Sequence, residues 1–396
     1  MSATYDVIVV GGGLEGLSVA HSLAQRGVDN VLVLERHTLC SGATAKSSGV
    51  ARAHYGVPSL VAMAWHGIQV MEDAHDRLGA DIGFRQPGYV VGVGPDDVDA
   101  LAANTAMQRS IGVPVESVSH DDVAAMWPAA FLDDFAAFAY EPRGGCGDAY
   151  RTGMAFAASA RRAGVQIEQH VTVVDLVTGP AGAVTGVELG DGSRRSADHV
   201  VLAAGAWSVP LAARIGVRLP IRSQREQILL FGPGQDLGPV PVLSDLVTLA
   251  YLRPEVGGEV LFGNSDHSTP QYADPDTYAN RADGDFIDVA VAKIAHRLPQ
   301  LTGAHTTSSY AGCYDVTPDF NPVIDSTVRD GLTICAGFSG HGFKIAPAVG
   351  RLVADVVCDG KSSDPLVHVD DFALSRFADG RPLTSEHPYR SAGQMR

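Results

Sequence analysis

Residues 5 to 16 read Tyr5-Asp6-Val7-Ile8-Val9-Val10-Gly11-Gly12-Gly13-Leu14-Glu15-Gly16, and the next apolar run, Val31-Leu32-Val33-Leu34, ends on Glu35. A strand buried on both faces needs a continuous apolar run, which the stretch up to Val10 supplies. Gly11 permits the tight turn. Gly13 has no Cβ to hold the backbone away from a pyrophosphate, and Gly16 lets helix and strand pack closely. The helix that starts there offers free N–H groups to phosphate charge, and Leu17, Ala20, Leu23 and Ala24 give it an inward face. Glu35 follows Gly16 by 19 residues, the spacing at which a carboxylate meets ribose hydroxyls. The chain therefore opens as a dinucleotide-binding βαβ unit.

A net charge of −16 disfavours nucleic acid or an anionic membrane surface as partner, since either needs a basic face. No apolar stretch reaches the roughly 20 residues that span a bilayer. The sequence starts on a strand without a basic leader, which reads as cytoplasmic. The five cysteines, Cys40, Cys146, Cys313, Cys335 and Cys358, form no CxxC pair and read as buried free thiols. His54, His66 and His75 lack a metal-ligand spacing with a carboxylate, so no metal is expected.

A length of 396 residues suggests about two or three domains. Periodicity predicts a helix from about Leu60 to Leu78, a strand over Phe84–Gly92, and surface helices over Asp96–Ser110 and His120–Met126. A helix over Tyr150–Ala163, strand material over Val165–Val177, a hairpin at Asp191-Gly192 and a buried parallel strand over Asp198–Ala204 mark a return to the first domain. Ile221 to Tyr251 and Glu259 to Asn264 read as an antiparallel sheet, followed by a helix over Phe286–Leu301. A last unit combines the strand Leu332–Ala336, the loop Gly337–Gly342 and a helix over Ile345–Val357. The expected fold class is α/β: a discontinuous Rossmann-like domain with a parallel sheet over 1–84, 145–218 and 305–396, plus an α+β substrate domain with a mainly antiparallel sheet over 85–144 and 219–304.

Three segments carry a family resemblance over nearly the whole chain: the N-terminal fingerprint, Val200-Val-Leu-Ala-Ala-Gly-Ala-Trp-Ser208, and Gly337-Phe-Ser-Gly-His-Gly-Phe-Lys344. Together they resemble the FAD-dependent amino-acid oxidase superfamily, nearest the sarcosine oxidases, their β-subunits and glycine-oxidase-like enzymes. Thr317-Pro-Asp-Phe-Asn-Pro322 is similar to that family's return to the nucleotide domain. The fingerprint alone does not separate FAD from NAD. The resemblance implies FAD, and the absence of a second GxGxxG unit disfavours a flavoprotein that takes electrons from a nicotinamide.

By residue-wise match the resemblance places Gly11, Gly13, Leu14, Glu15, Gly16, Glu35 and Arg36 on the adenosine diphosphate half. It places Ser41, Ala43, Thr44, Lys46, Ser47 and Ser48 along the pyrophosphate and ribityl chain, Val173 on the adenine, and Gly205 and Trp207 against the dinucleotide. Gly340, His341, Gly342, Phe343 and Lys344 would border the isoalloxazine. Arg52 and Lys344 match the family's two carboxylate-binding cations, a chemistry in which both supply charge-assisted hydrogen bonds. Lys344 is one of four lysines in a chain with 25 arginines. The alternative for Arg52 is a solvated or structural ion pair, and Tyr251 suits a pocket tyrosine and sheet packing equally. Tyr251 and His341 complete the set expected at the reacting centre.

Departures from the family are informative. Gly257–Gly263 holds no lysine of the kind sarcosine oxidases use to activate oxygen, so the acceptor is either oxygen or a protein or quinone. Gly49 stands where a second pocket arginine is found, implying a roomier pocket. Gly312 and Lys46 stand where linking residues would be, with Cys313 one position out of register, so FAD is expected to be noncovalent. Three readings follow: an oxidase or dehydrogenase of amino acids or N-methyl and secondary amino acids, with hydride passing to flavin N5 and an imine as product; a 2-hydroxy-acid oxidase or dehydrogenase; and a FAD-binding subunit of a larger complex.

Overall fold

A computed structural model of the chain describes residues 4–390. Residues 1–3 and 391–396, at the ends of the first and last segments expected in the dinucleotide domain, lie outside the described residues. The fold is mixed α/β with two multistrand sheets.

The spine of the first sheet runs Val323–Asp325, Leu332–Ala336, Arg194–Leu202, Thr4–Val10, Val31–Glu35, Gln166–Gln169. Its neighbours pair parallel except the first two. Alternation along the central strands explains their unbroken apolar sequence. Val7, Val9, Val31 and Val33 enter one core with the fingerprint helix Leu14–Gln25, the helix Ala149–Arg162 and the long helix Gly342–Asp359. Ile8, Val10, Leu32 and Leu34 enter a second core with the antiparallel strands Val173–Thr178 and Val184–Leu189. Each fully buried side chain of this size contributes about 1.5–3 kcal/mol, which is why residues 7–10 and 31–34 of the two central strands are all apolar.

The second sheet runs His305–Val316, Arg222–Gly232, Val260–Asn264, Ala250–Pro254, Val242–Asp245, Tyr89–Val93, Ala137–Glu141, Glu116–Val118. It is antiparallel apart from the Val242/Tyr89 pair. Its two faces differ in chemistry. One buries Val90, Phe138, Leu229, Leu243, Leu252 and Phe262 with the helix Gly284–Arg297. By register, the other carries Glu141 beside Tyr89, Tyr251 opposite Gly263, and Glu226 opposite Gly312. A two-stranded ribbon, Val50–Ala51 with Gly145–Cys146, leads from the first sheet toward this polar face.

Several boundaries differ from expectation. The Leu60–Leu78 helix is two, Pro58–Glu72 and Ala74–Leu78, broken at Asp73 and stopped by Gly79 at φ 71°. The strand expected over Phe84–Gly92 is Tyr89–Val93, because Pro87 and the left-handed Gly88 interrupt its start. Val165–Val177 divides at His170, whose φ is 61°, into Gln166–Gln169 on the parallel spine and Val173–Thr178 on the antiparallel branch of the same sheet. The last helix begins at Gly342, not Ile345, and continues through Pro347. The twelve-residue strand His305–Val316 pairs along Arg222–Gly232 in the antiparallel sheet, so the parallel sheet resumes only after it. Four cysteines are buried and unpaired, but Cys358, on the last turn of the long helix, is exposed. Among the described residues no helix is long and apolar enough to cross a membrane.

Candidate active site

The turn after the first strand is built from backbone contacts that only glycine allows. Gly11 has φ 114°, and a Cβ there would lie 2.4 Å from Ala203 O. A Cβ on Gly16 would lie 2.1 Å from Gly11 O, which seats the fingerprint helix directly on the turn. The N-cap residue, Gly13, has no side chain to cap that helix, and one of its free N–H groups, that of Leu14, donates to Thr44 Oγ1 at 3.1 Å. Glu35 accepts from Gly12 N–H and His37 N–H, both at 2.8 Å.

Around this turn lies a cavity of about 620 Å³. It is lined by Gly11, Gly13, Leu14, Glu15, Glu35, Arg36, Ser41, Ala43, Thr44, Ser47, Ser48, Val173, Gly205, Trp207, Gly340, Gly342 and Phe343. Gly16 lies beneath the turn instead, and Lys46 packs its stem on Gly312. His341, Lys344, Arg52 and Tyr251 are not among the lining residues. The cavity reaches from the Glu35 carboxylate past the uncapped fingerprint helix to the first turn of the long helix. Gly13 is the open part of the wall, where a Cβ would meet only Thr44 Oγ1 at 3.5 Å. These features suit a dinucleotide: a helix N-terminus for pyrophosphate, a carboxylate for ribose, and a second uncapped helix end, at His341, for a polar ring.

Sequence reasoning missed the residues that close this cavity from the other side. Pro275, Asp276 and Tyr278 reach in from the loop after Val260–Asn264. Asp276 pairs with Arg36 and accepts from Trp207 Nε1 at 3.1 Å, while the Arg36 guanidinium stacks 4.3 Å from the Trp207 ring. Asp315 was also missed; it takes the Gly337 N–H at 2.7 Å and fixes the start of the Gly337–Gly342 loop. Neither carries a motif, since both act through positions far apart in sequence.

Beyond the ring-facing end, four predicted residues separate into two groups. Arg52 and Lys344 converge on Tyr55: the guanidinium carbon lies 4.4 Å and the ammonium nitrogen 5.8 Å from its ring centre. His341 joins them, with Nδ1 3.1 Å from the Tyr55 hydroxyl. Arg52 donates to His54 O, and Lys344 lies 3.5 Å from Gly340 O. Among the described residues no carboxylate is within ion-pair distance of either cation. Burial, with Arg52 beside it, holds the Lys344 ammonium well below its usual range. Burial, then Lys344 and Arg52, likewise keep His341 neutral. Tyr251 stands apart, its ring lying over Gly263, where a Cβ would come within 2.1 Å of it. Burial pushes its hydroxyl up to about 12, opposed by a hydrogen bond with Ser48. At Gly49, expected to leave room, the Arg253 guanidinium from the second sheet stands 3.4 Å from where a Cβ would project, paired with Glu255.

The arginine is backed by Glu141, a further residue that sequence reasoning missed. Its Oε2 accepts from Ala53 N–H at 2.8 Å, and burial raises its pKa to about 7, opposed by that N–H and by Arg52. A raised carboxylate pKa makes the folded state hold its proton while the unfolded chain releases it, so Glu141 lowers stability as pH climbs from about 4.5 to 7, and the penalty is constant above that. Between pH 5 and 8 the loss is about 2 kcal/mol. Urea unfolding of apoprotein is expected to show Glu141→Gln gaining on wild type by this amount across the interval; equal pH dependence of the two would contradict it.

A family model described as FAD dependent oxidoreductase (DAO) matches residues 6–356. The chain belongs to this family. FAD is accordingly its cofactor, and the cavity is where it fits. The chain is 28% identical over 369 residues to a glycine oxidase of Geobacillus kaustophilus, covering 90% of this chain and 94% of that one. It is 28% identical over 400 residues to the β-subunit of sarcosine oxidase from Arthrobacter, covering 97% and 93%. The structure of L-proline dehydrogenase from P. horikoshii superposes with a TM-score of 0.86 at 25% identity, covering 96% of this chain and all of that one.

Proposed function

We propose that this FAD-dependent oxidoreductase oxidises a small amino acid or N-substituted amino acid at the carbon next to nitrogen, with the substrate carboxylate held between Arg52 and Lys344. One observation carries the reading: two buried cations share an aromatic wall and, among the described residues, neither has a carboxylate in ion-pair range. Burying unpaired charge is costly, so such a pair suits an anion that arrives from outside. The guanidinium offers a planar fork for a carboxylate and the ammonium a point charge.

The same two cations act on the other end of the substrate. They disfavour an ammonium beside them, so the amine binds neutral, with its lone pair available as the C–H bond breaks. His341, neutral and hydrogen-bonded to Tyr55, adds no positive charge. Bound FAD would supply the two-electron acceptor for the hydride released from the C–H bond, and the imine product would be hydrolysed by water. The protein's part is to anchor the carboxylate, exclude water and orient the C–H bond. Glycine, sarcosine and L-proline, named for the relatives, are all α-amino carboxylates with little side chain, which fits a site in which both cations lie against the Tyr55 ring. The electron acceptor, oxygen or a protein or quinone, is a separate property of the reduced enzyme.

The test is anaerobic mixing of the yellow holoprotein with glycine, sarcosine, L-proline, the matching amines without carboxylate, and glycolate and lactate. Bleaching is expected with carboxylate-bearing amines alone, and readmitted air then reports on oxygen as acceptor. Bleaching by the 2-hydroxy acids in place of the amines, or no bleaching by any of them, would overturn the reading.

A further inference from the structure

The segment after Ser375–Ala378 returns across the molecule as an extended strap. Leu383 is tied to the Asp319–Asn321 turn: its N–H donates to Asp319 Oδ2 at 2.9 Å, and its carbonyl accepts from Asn321 Nδ2 at 2.7 Å. Ser385 fills the space that Gly56 leaves, and His387 O accepts from Asn104 Nδ2 at 2.9 Å. Arg390 N–H donates to Asp97 Oδ1 at 2.8 Å. Between these ties Tyr389 plunges inward and is 2% exposed. Its hydroxyl lies 2.7 Å from His54 Nε2, and the two rings stack at 5.9 Å and 19°.

His54 is two residues beyond Arg52, and its carbonyl accepts the Arg52 Nη1 hydrogen bond. Ala53, between them, is held by Glu141. The backbone that aims the guanidinium is thus clamped from two sides, by a carboxylate on the polar sheet and by a tyrosine on the strap. His54 is fully buried and neutral, which makes the Tyr389 hydroxyl the group that satisfies its Nε2. A buried ring nitrogen that loses its partner carries its desolvation penalty uncompensated, which the segment can relieve by moving. A guanidinium meeting a carboxylate tolerates displacement of only about 0.5 Å or 10–20°.

We propose that Tyr389 is a positioning residue for the anion site: by holding His54 it sets where the Arg52 guanidinium sits, so that the strap belongs to the substrate-binding apparatus without touching the FAD cavity. The proposal rests on the carboxylate-binding role given to Arg52 above. Tyr389→Phe removes one hydroxyl and keeps the stacked ring, so it leaves the packing of the strap in place.

The probe is acetate titrated into holoenzyme and followed by the change in flavin absorbance, with FAD content measured in parallel. Tyr389→Phe is expected to weaken acetate three- to tenfold at full FAD content, and to raise KM for the substrate by more than it lowers kcat. Combined with Arg52→Met it is expected to add nothing to the loss from Arg52→Met alone, because it acts through that side chain. Wild-type acetate affinity in Tyr389→Phe, an additive double variant, or loss of FAD from Tyr389→Phe would each overturn the proposal while the substrate reading stands. Unchanged acetate affinity in Arg52→Met would instead sink that reading, and this inference with it.

Discussion

Replacing Arg52 by Met is expected to raise KM for the amino-acid substrate by two to three orders of magnitude while the purified protein stays yellow. Truncating one partner of a buried hydrogen-bonded charge pair costs about 2–5 kcal/mol, and 1.4 kcal/mol is about tenfold in affinity. Arg52 stands toward the upper part of that range because its fork fixes the orientation of a carboxylate as well as its position. Lys344→Met is expected to cost less, about ten- to a hundredfold by the same conversion, since an ammonium supplies charge without a fixed plane. In the free enzyme, burial and the neighbouring guanidinium press Lys344 toward the neutral amine. An arriving carboxylate reverses that pressure, so acetate binding is expected to draw in a proton and to weaken as pH rises. Lys344→Met should flatten that dependence. Steady-state kinetics beside the 450 nm absorbance of each variant separate the outcomes. An unchanged KM would remove the carboxylate role, whereas flavin loss would move the residue to the cofactor site.

Most of the cofactor side was legible because it is written locally. Gly11, Gly13, Gly16 and Glu35 fall within one βαβ unit, where each residue type answers to one steric or electrostatic need, and all but Gly16 line the cavity. Gly16 is under the turn, as its packing role requires. The central parallel strands were legible for the same reason, since burial on both faces leaves no polar position over residues 7–10 and 31–34. The antiparallel sheet was harder. His305–Val316 begins His-Thr-Thr-Ser-Ser, and its exposed first half gives no alternation to read. The anion site shows the other limit. Arg52 and Lys344 were found through motifs, but Glu141 and Tyr389 act on the Arg52 segment through contacts spanning 88 and 335 residues of sequence, and no local pattern marks a side chain whose partner is that distant. Arg253 shows the same effect: its guanidinium stands beside Gly49 because two sheets meet there.

The second large effect belongs to Gly16. Gly16→Ala is expected to yield protein without flavin, and the reason is steric. The new methyl would sit 2.1 Å from Gly11 O and 3.4 Å from Val9 Cγ1. Contact distances require the helix or the turn to retreat by about 1 Å, and neither is free to do so. Gly11 is fixed by its N–H bond to Leu34 O at 2.9 Å and by Ala203 O behind it. The helix is fixed further along, where Gly350 of the long helix crosses it so closely that a Cβ there would be 2.3 Å from Ser18 Oγ. Relief at Gly16 therefore displaces both helix ends that face the cavity. Overpacking of this kind costs about 1–3 kcal/mol, so Gly16→Ala should lower the melting temperature of the apoprotein as well as weaken FAD by a hundredfold or more. Gly13→Ala provides the contrast. Its backbone is extended, its Cβ would meet only Thr44 Oγ1 at 3.5 Å, and it faces the cavity. That variant should melt with wild-type apoprotein and still bind FAD weakly, because the methyl occupies the space the pyrophosphate needs. Calorimetry of both apoproteins with FAD titration decides the matter: stoichiometric FAD and wild-type melting in Gly16→Ala would show that the helix–turn contact does not govern the pocket.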